Sequence, residues 1–491
     1  MTYEPTLASL QTRPVPAWFR EAKLGIFIHW GPASVPAWAP LTGEFQRIVA
    51  RKGWRYWFAH NPYADWYANS YRIPGSPTRE HHLQTYGPAL QYEAFVHEFV
   101  RASAAWEPSS WAGLFRQAGA RYVVLVSKHH DGFLLWPSQY PNPRRPDYRS
   151  PRDLVGELAE AVRGQGMRFG LYYSGGLDWT FNDRPIQDLL DLLLAIPQDT
   201  EYAQYVDSHW RELIARYRPD VLWNDIAYPA KADLLSLFAD YYRAVPDGVV
   251  NDRFVQFNLG RLADPQRLSS RILRGVLRPL LPLLAAGLTR TGGQNKRIHA
   301  DFRTPEYTTY KHSVPWKWEA TRGLGYSFAY NRNETEEDLL SPTELVHLLV
   351  DIVSKNGNLL LNIGPMPDGT IPEIQRTRLE ALGAWLARNG EAIYGTRPWV
   401  RAEGHIRGRL PVRFTQKGEH LYAIILGTPA GHEVILEGLL VVRETKVRLL
   451  GHEAPLLWRQ EGRDLRVFLP GILPYAPAYA FQITPKPVLA Y

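Results

Sequence analysis

The stretch "VLWNDIAYP", residues 221–229, is a short apolar run that halts on Asn224 and Asp225. A strand covered on both faces keeps polar groups out of its middle, so a polar stop marks where it leaves the core. Other segments end the same way: "LGIFIHWG" (24–31), "YVVLVSKHHDGF" (122–133), "RFGLYYSGG" (168–176), "GVVNDR" (248–253) and "NLLLNIGP" (358–365). Helical patterns lie between and beyond them, at 109–121, 150–166, 205–220, 232–245, 341–357 and 371–390. Ser150 and Ser341 read as N-caps, each followed by Pro and, three positions on, by an acidic residue; Gly166, Gly357 and Gly390 read as helix stops.

Strand alternating with helix predicts a parallel sheet with right-handed crossovers, and so many units in about 400 residues favour a closed (β/α)8-like TIM barrel. From residue 398 the pattern changes to short strands joined by turns such as Lys417-Gly418 and Glu461-Gly462, which predicts a C-terminal antiparallel β-sandwich. The expected division is a barrel over 1–397, interrupted by an insertion at about 254–299, and a sandwich over 398–491. Barrels of this kind carry their reactive residues at the C-terminal ends of the strands. Asn224 and Asp225 would therefore share a mouth with His29, His129, His130, Tyr172 and Arg253.

Composition narrows the classes. Apolar residues make up 45% and charged residues 21%, a globular balance. Lys and Arg number 56 against 49 Asp and Glu, but the excess is spread along the chain, which argues against a nucleic-acid partner. The chain has no cysteine, which removes disulfides and thiolate metal sites, and its N-terminal stretch lacks a secretory pattern, so a cytoplasmic location is expected. The most apolar stretch, residues 271–290, is broken by Pro279 and Pro282 and falls short of the roughly 20 apolar residues of a membrane span.

"KLGIFIHWG" (23–31), "KHHDGFLLWPS" (128–138), "YYSGGLDW" (172–179), "LWND" (222–225), "DFRTPEY" (301–307), "GLGYSFAYNRNE" (323–334) and "GNLLLNIGPMPDG" (357–369) together resemble glycoside hydrolase family 29, the α-L-fucosidases. The resemblance implies a retaining exo-glycosidase that releases terminal α-L-fucose by double displacement, without a cofactor or metal. By the same resemblance Asp225 is the nucleophile, and Glu306, in the "TPE" position, is the acid/base. His29, Asp65, Trp66, His129, His130, Tyr172, Trp223 and Arg253 would surround the sugar. Asp65 departs from the family's usual Glu by one methylene, which leaves α-L-galactosides open beside α-L-fucosides. The implied partner is a fucosylated oligosaccharide or glycoside, with self-association left open.

Asp301 and Glu319 are rivals for the acid, each with the alternative of a solvated surface carboxylate. A sugar-binding protein without turnover and a metal-dependent hydrolase are the competing classes. Against a metal, adjacent strand residues such as His129 and His130 point to opposite faces unless a turn has begun. Arg253 and Glu306 lie 53 positions apart, far more than the dozen or so of some relatives. The intervening segment, rich in aliphatic residues and in Arg267, Arg271, Arg274, Arg278 and Arg290, reads as a helical excursion that covers the mouth, makes a subunit contact, or is simply packed on the barrel.

Overall fold

The computed structural model describes residues 3–259, 262, 272–282, 298–408 and 410–490. Among these, seven strands make one parallel sheet: β1 (Leu24–Ile28), β2 (Tyr122–Lys128), β3 (Arg168–Ser174), β4 (Val221–Asp225), β5 (Val249–Val250), β6 (Trp318–Gly323) and β7 (Gly357–Ile363). Their order is β5-β4-β3-β2-β1-β7-β6, so β5 and β6 are the two edges. Residues 301–307 bridge them. Phe302 pairs with Asn251 beyond β5, while Arg303 and Glu306 pair with Trp318 and Thr321 of β6, all in parallel. Backbone bonds from Asp301 to Val250 (2.9 Å) and from Thr321 to Pro305 (3.0 Å) complete the seam. The sheet thus closes into a ring of eight staves.

Two strand periodicities divide the core. Phe27, Tyr122, Val124, Tyr172, Val221, Trp223, Val249, Phe302 and Leu360 fill the barrel interior as one cluster. Their strand neighbours, such as Ile26, Val123, Leu171 and Leu222, join the larger cluster that packs against the surrounding helices. This two-sided burial is why the strands read as unbroken apolar runs. At Gly25, a Cβ would sit 2.4 Å from the Tyr122 ring, so the tyrosine occupies the space a side chain would take.

The expected helices are present, with local corrections. Ser150 is not an N-cap: its N–H bonds Leu134 O, and Asp153 caps the helix Leu154–Gly164 by accepting from Gly156 N. Ser341 does cap, in a reciprocal box with Glu344. Gly357 is not a stop but the first residue of β7; the left-handed turn after the helix Pro342–Ser354 falls on Asn356, with φ +75°. Gly166, at φ +72°, follows the helix ending at Gly164.

From Arg397 onward the structure is antiparallel. A five-stranded sheet runs β13 (Lys446–Leu449), β16 (Tyr479–Thr484), β10 (His420–Ile425), β9 (Pro411–Lys417), β8 (Arg397–His405), a three-stranded sheet runs β11 (Glu433–Leu436), β15 (Asp464–Phe468), β14 (Trp458–Glu461), and β12 (Leu439–Leu440) pairs with β17 (Val488–Leu489). Phe414, Leu421, Val434, Leu465 and Phe481 lie in the core they share. Glu391 joins this sandwich to the barrel by accepting from Tyr422 (2.9 Å), Arg448 (2.8 Å) and Gln482 (2.6 Å).

In the insertion, residues 272–282 are helical, whereas Arg267, Arg271 and Arg290 lie outside the described residues. Among the described residues no helix is long and apolar enough to cross a membrane.

Candidate active site

Strand β4 explains its own ending. Val221, Trp223 and Asp225 share one face, so the strand delivers Asp225 to the inside of the barrel just where Trp223 has filled it. Asn224 faces the other way and serves the backbone: its Nδ2 donates to Ala227 O (2.8 Å) and Arg253 O (3.0 Å). Ile226 then turns the chain with φ +64°, a costly conformation for a β-branched residue, and its N–H donates to Asp225 Oδ1 at 2.8 Å.

The mouth holds a cavity of about 730 Å³, lined by His29, Asp65, Trp66, His129, His130, Tyr172, Trp223, Asp225, Arg253 and Glu306 among others. All ten residues singled out in the sequence line it. Arg253 connects the two carboxylates: its Nη1 donates to Asp225 Oδ1 (2.7 Å) and its Nη2 to Glu306 Oε2 (3.1 Å). The guanidinium lies over the Trp223 ring at 4.6 Å, and Nε donates to Thr304 Oγ1 (3.0 Å) on the closing segment. Burial opposes its charge, but Asp225 and Glu306 outweigh that and hold its pKa above the ordinary range. Tyr172 donates to Asp225 Oδ2 at 2.9 Å, and Tyr63 to Glu306 Oε1 at 3.0 Å.

Burial disfavours the charged form of all three histidines, and two of them present an acceptor nitrogen. Burial lowers the pKa of His29 to about 4 and those of His129 and His130 well below the ordinary value. Asn362 Nδ2 donates to Phe328 O, so its Oδ1 must accept the Nδ1 proton of His29 (2.6 Å), leaving Nε2 bare. Likewise Ser174 Oγ spends its proton on Leu177 O, so His130 Nδ1 donates to it (2.6 Å) and Nε2 is again an acceptor. Both imidazoles suit sugar hydroxyls. Burial, with the negative charge of Glu306 and Asp225, pushes Asp65 up to about 7; its Oδ1 accepts from Ala329 N (3.1 Å).

Several expectations need correction. His129 and His130 do not face opposite ways: β2 ends at Lys128, the turn has begun, and both rings line the cavity with centroids 4.1 Å apart. Even so, among the described residues no group of three or more His, Asp or Glu is arranged to hold a metal ion. The rival carboxylates are not solvated. Asp301 is locked to Arg13 (2.8 Å) and accepts from Tyr242 and Val250 N, with its side chain 1% exposed. Glu319 is buried in the barrel interior, accepting from Tyr122 and from Trp223 Nε1 (3.1 Å), and burial pushes it up to about 7. Neither lines the cavity.

Sequence reasoning missed Tyr63, Asn362, Ser174 and Phe328. The aromatic density of "FQRIVARKGWRYWFAHNPYADW" (45–66) was a usable signal, since Phe45, Trp54, Trp57 and Phe58 also wall the cavity. Asn362, an amide four residues after Asn358 in the "NLLLNIGP" run, was another.

Comparison with known proteins agrees with this geometry. The sequence profile of the family described as Alpha-L-fucosidase matches residues 1–391, and that of the Alpha-L-fucosidase C-terminal domain matches residues 409–484. The tissue α-L-fucosidase of Homo sapiens is 32% identical over 497 residues, spanning 99% of this chain and 91% of that protein. An α-L-fucosidase of Branchiostoma floridae is 34% identical over 468 residues, spanning 93% and 89%. The crystal structure of the Thermotoga maritima α-fucosidase in complex with fucose has 41% identity and a TM-score of 0.80, covering 98% of this chain and 100% of that one. A closed parallel barrel with a carboxylate-lined mouth, an appended β-sandwich and this match over nearly the whole length have one explanation: the chain belongs to the α-L-fucosidase family.

Proposed function

We propose that this protein hydrolyses terminal α-L-fucosides with retention of configuration. Asp225 attacks the anomeric carbon, and the bond from that carbon to the leaving oxygen breaks as Glu306 hands its proton to the departing alcohol. Water then enters on the same side, gives a proton to Glu306 and displaces Asp225, releasing fucose and restoring both carboxyl groups. Tyr172 and Ile226 N aim the Asp225 oxygens, while Tyr63 orients Glu306. The bare Nε2 atoms of His29 and His130 accept from sugar hydroxyls, and Phe328 with Trp66 offers an apolar wall to the 6-methyl group.

One observation carries this reading: a single guanidinium grips both carboxylates across one cavity, so both can reach the same ring. The Thermotoga maritima relative, 41% identical, was crystallised with a mechanism-based inhibitor, which supports transferring the covalent route. The test is incubation with a 2-fluoro-fucosyl fluoride followed by peptide mapping. An ester on Asp225 is expected; labelling of another carboxylate, or release of the β-anomer as first product, would overturn the assignment.

A further inference from the structure

Outside the sugar cavity lies a second, larger groove of about 1900 Å³ between the helix Phe45–Ala59 and the helical residues 272–282 of the insertion. The two spaces are continuous in their walls, because Phe45 and Trp54 line both. The groove starts on the acid's side. Gln46, on its wall, is 3.4 Å from the backbone carbonyl of Glu306, to which its amide donates. On the proposed mechanism a leaving group protonated by Glu306 would lie next to the segment that borders this groove.

We propose that this groove is the leaving-group subsite and that it takes an apolar aglycone, an alkyl or aryl chain, in preference to a second sugar. The inference rests on the fucosidase reading above. Phe45, Val49, Trp54 and Pro279 give the groove an apolar lining. Most of its charged groups face one another: Asp188 is bound by Arg278, which also pairs with Asp191 at 2.9 Å, exposed Arg55 lies 3.7 Å from Asp188, and Lys52 lies over the Tyr56 ring at 4.2 Å. Sugar hydroxyls would find few free partners there, whereas methylene groups would leave water for an apolar wall. The ion pairs of Arg278 also fix the insertion helix to the N-terminal end of the helix Leu189–Leu194, so the groove has two anchored sides.

The test compares methyl and hexyl α-L-fucosides, whose leaving alcohols are closely similar in acidity, on the full-length protein. Native enzyme should show a kcat/KM at least about tenfold higher for the hexyl compound. Gly275 faces the groove, and among the described residues none comes within 4 Å of where its Cβ would lie, so Gly275→Phe places a ring in the groove; Ala50→Phe does so from the opposite, exposed wall. Either variant should erase the hexyl advantage while methyl turnover stays near native. Equal native kcat/KM for the two compounds would overturn the proposed preference, with methyl turnover leaving the glycosidase reading intact. A hexyl advantage that survives in both variants would overturn the location. A fucosyl disaccharide outpacing the hexyl compound would overturn the aglycone class, and no turnover of any fucoside would sink the glycosidase reading and this one together.

Discussion

Asp225 and Asp301 have nearly the same partners. Each accepts from an arginine, a tyrosine hydroxyl and a backbone N–H: Arg253, Tyr172 and Ile226 for the first, Arg13, Tyr242 and Val250 for the second. The difference is position. Asp301 opens the closing segment at the entry to a stave and is sealed with its arginine, at 1% and 2% side-chain exposure. Asp225 closes β4 at the mouth, where it and Arg253 retain 11% and 21%, and where the guanidinium is shared with a second carboxylate. Partner chemistry alone does not single out the proposed nucleophile; an open side and a second acid do.

The sharpest way to break this contrast is to remove each aspartate. Asp225→Gly should lower kcat/KM on an aryl α-L-fucoside by at least about 10³-fold while the melting temperature changes little, because its environment is partly open. Asp301→Ala should do the reverse. It leaves Arg13 buried without its partner, so denaturant unfolding should show a loss of about 3–5 kcal/mol, with kcat per folded molecule near native. Similar activity losses in both variants would erase the distinction.

Smaller changes sharpen it. Tyr63→Phe deletes one hydrogen bond to Glu306 and should lower kcat about tenfold on fucosides with poor leaving groups, with less effect on activated ones. An equal effect on both would place Tyr63 outside proton transfer. The subtlest test concerns Glu319, whose pKa burial raises from the ordinary 4.5 to about 7. Between those values the folded state binds more protons than the unfolded one, so the native protein loses this contribution as pH rises toward and through 7. Glu319→Gln removes the titration. The stability difference, variant minus native, should therefore become more positive from pH 5 to pH 8, and a flat difference would show that Glu319 does not titrate there.

The legible parts of this fold were those governed by two-sided burial. Strands β1–β4 and β7 are apolar because both faces are covered, and each stops where a polar group enters the mouth. β6 and the closing segment 301–307 were not recognised as strands. β6 reads "WEATRG" because Glu319 points inward to Tyr122 and Trp223, and the closing segment reads "DFRTPEY" because Asp301, Thr304, Glu306 and Tyr307 each make side-chain hydrogen bonds. Hydrophobic patterning is silent there, yet Glu306 sits on that segment, and only the motif resemblance pointed to it. Ser150 misled for a related reason: Asp153, three residues later, offered an equally good cap, and the bond from Ser150 N to Leu134 O decided between them. The sharing of Arg253 depends on residues 28 and 53 positions away and had no local signal.

The stave carrying Glu306 is the one that shuts the ring, and it holds its neighbours by scattered bridges instead of a continuous ladder. Completing the cylinder and assembling the pair of carboxyl groups are therefore a single event. On the proposed mechanism, a chain that has built every other stave would hold Asp225 with no acid opposite, and would stay inert toward glycosides until that joint is made.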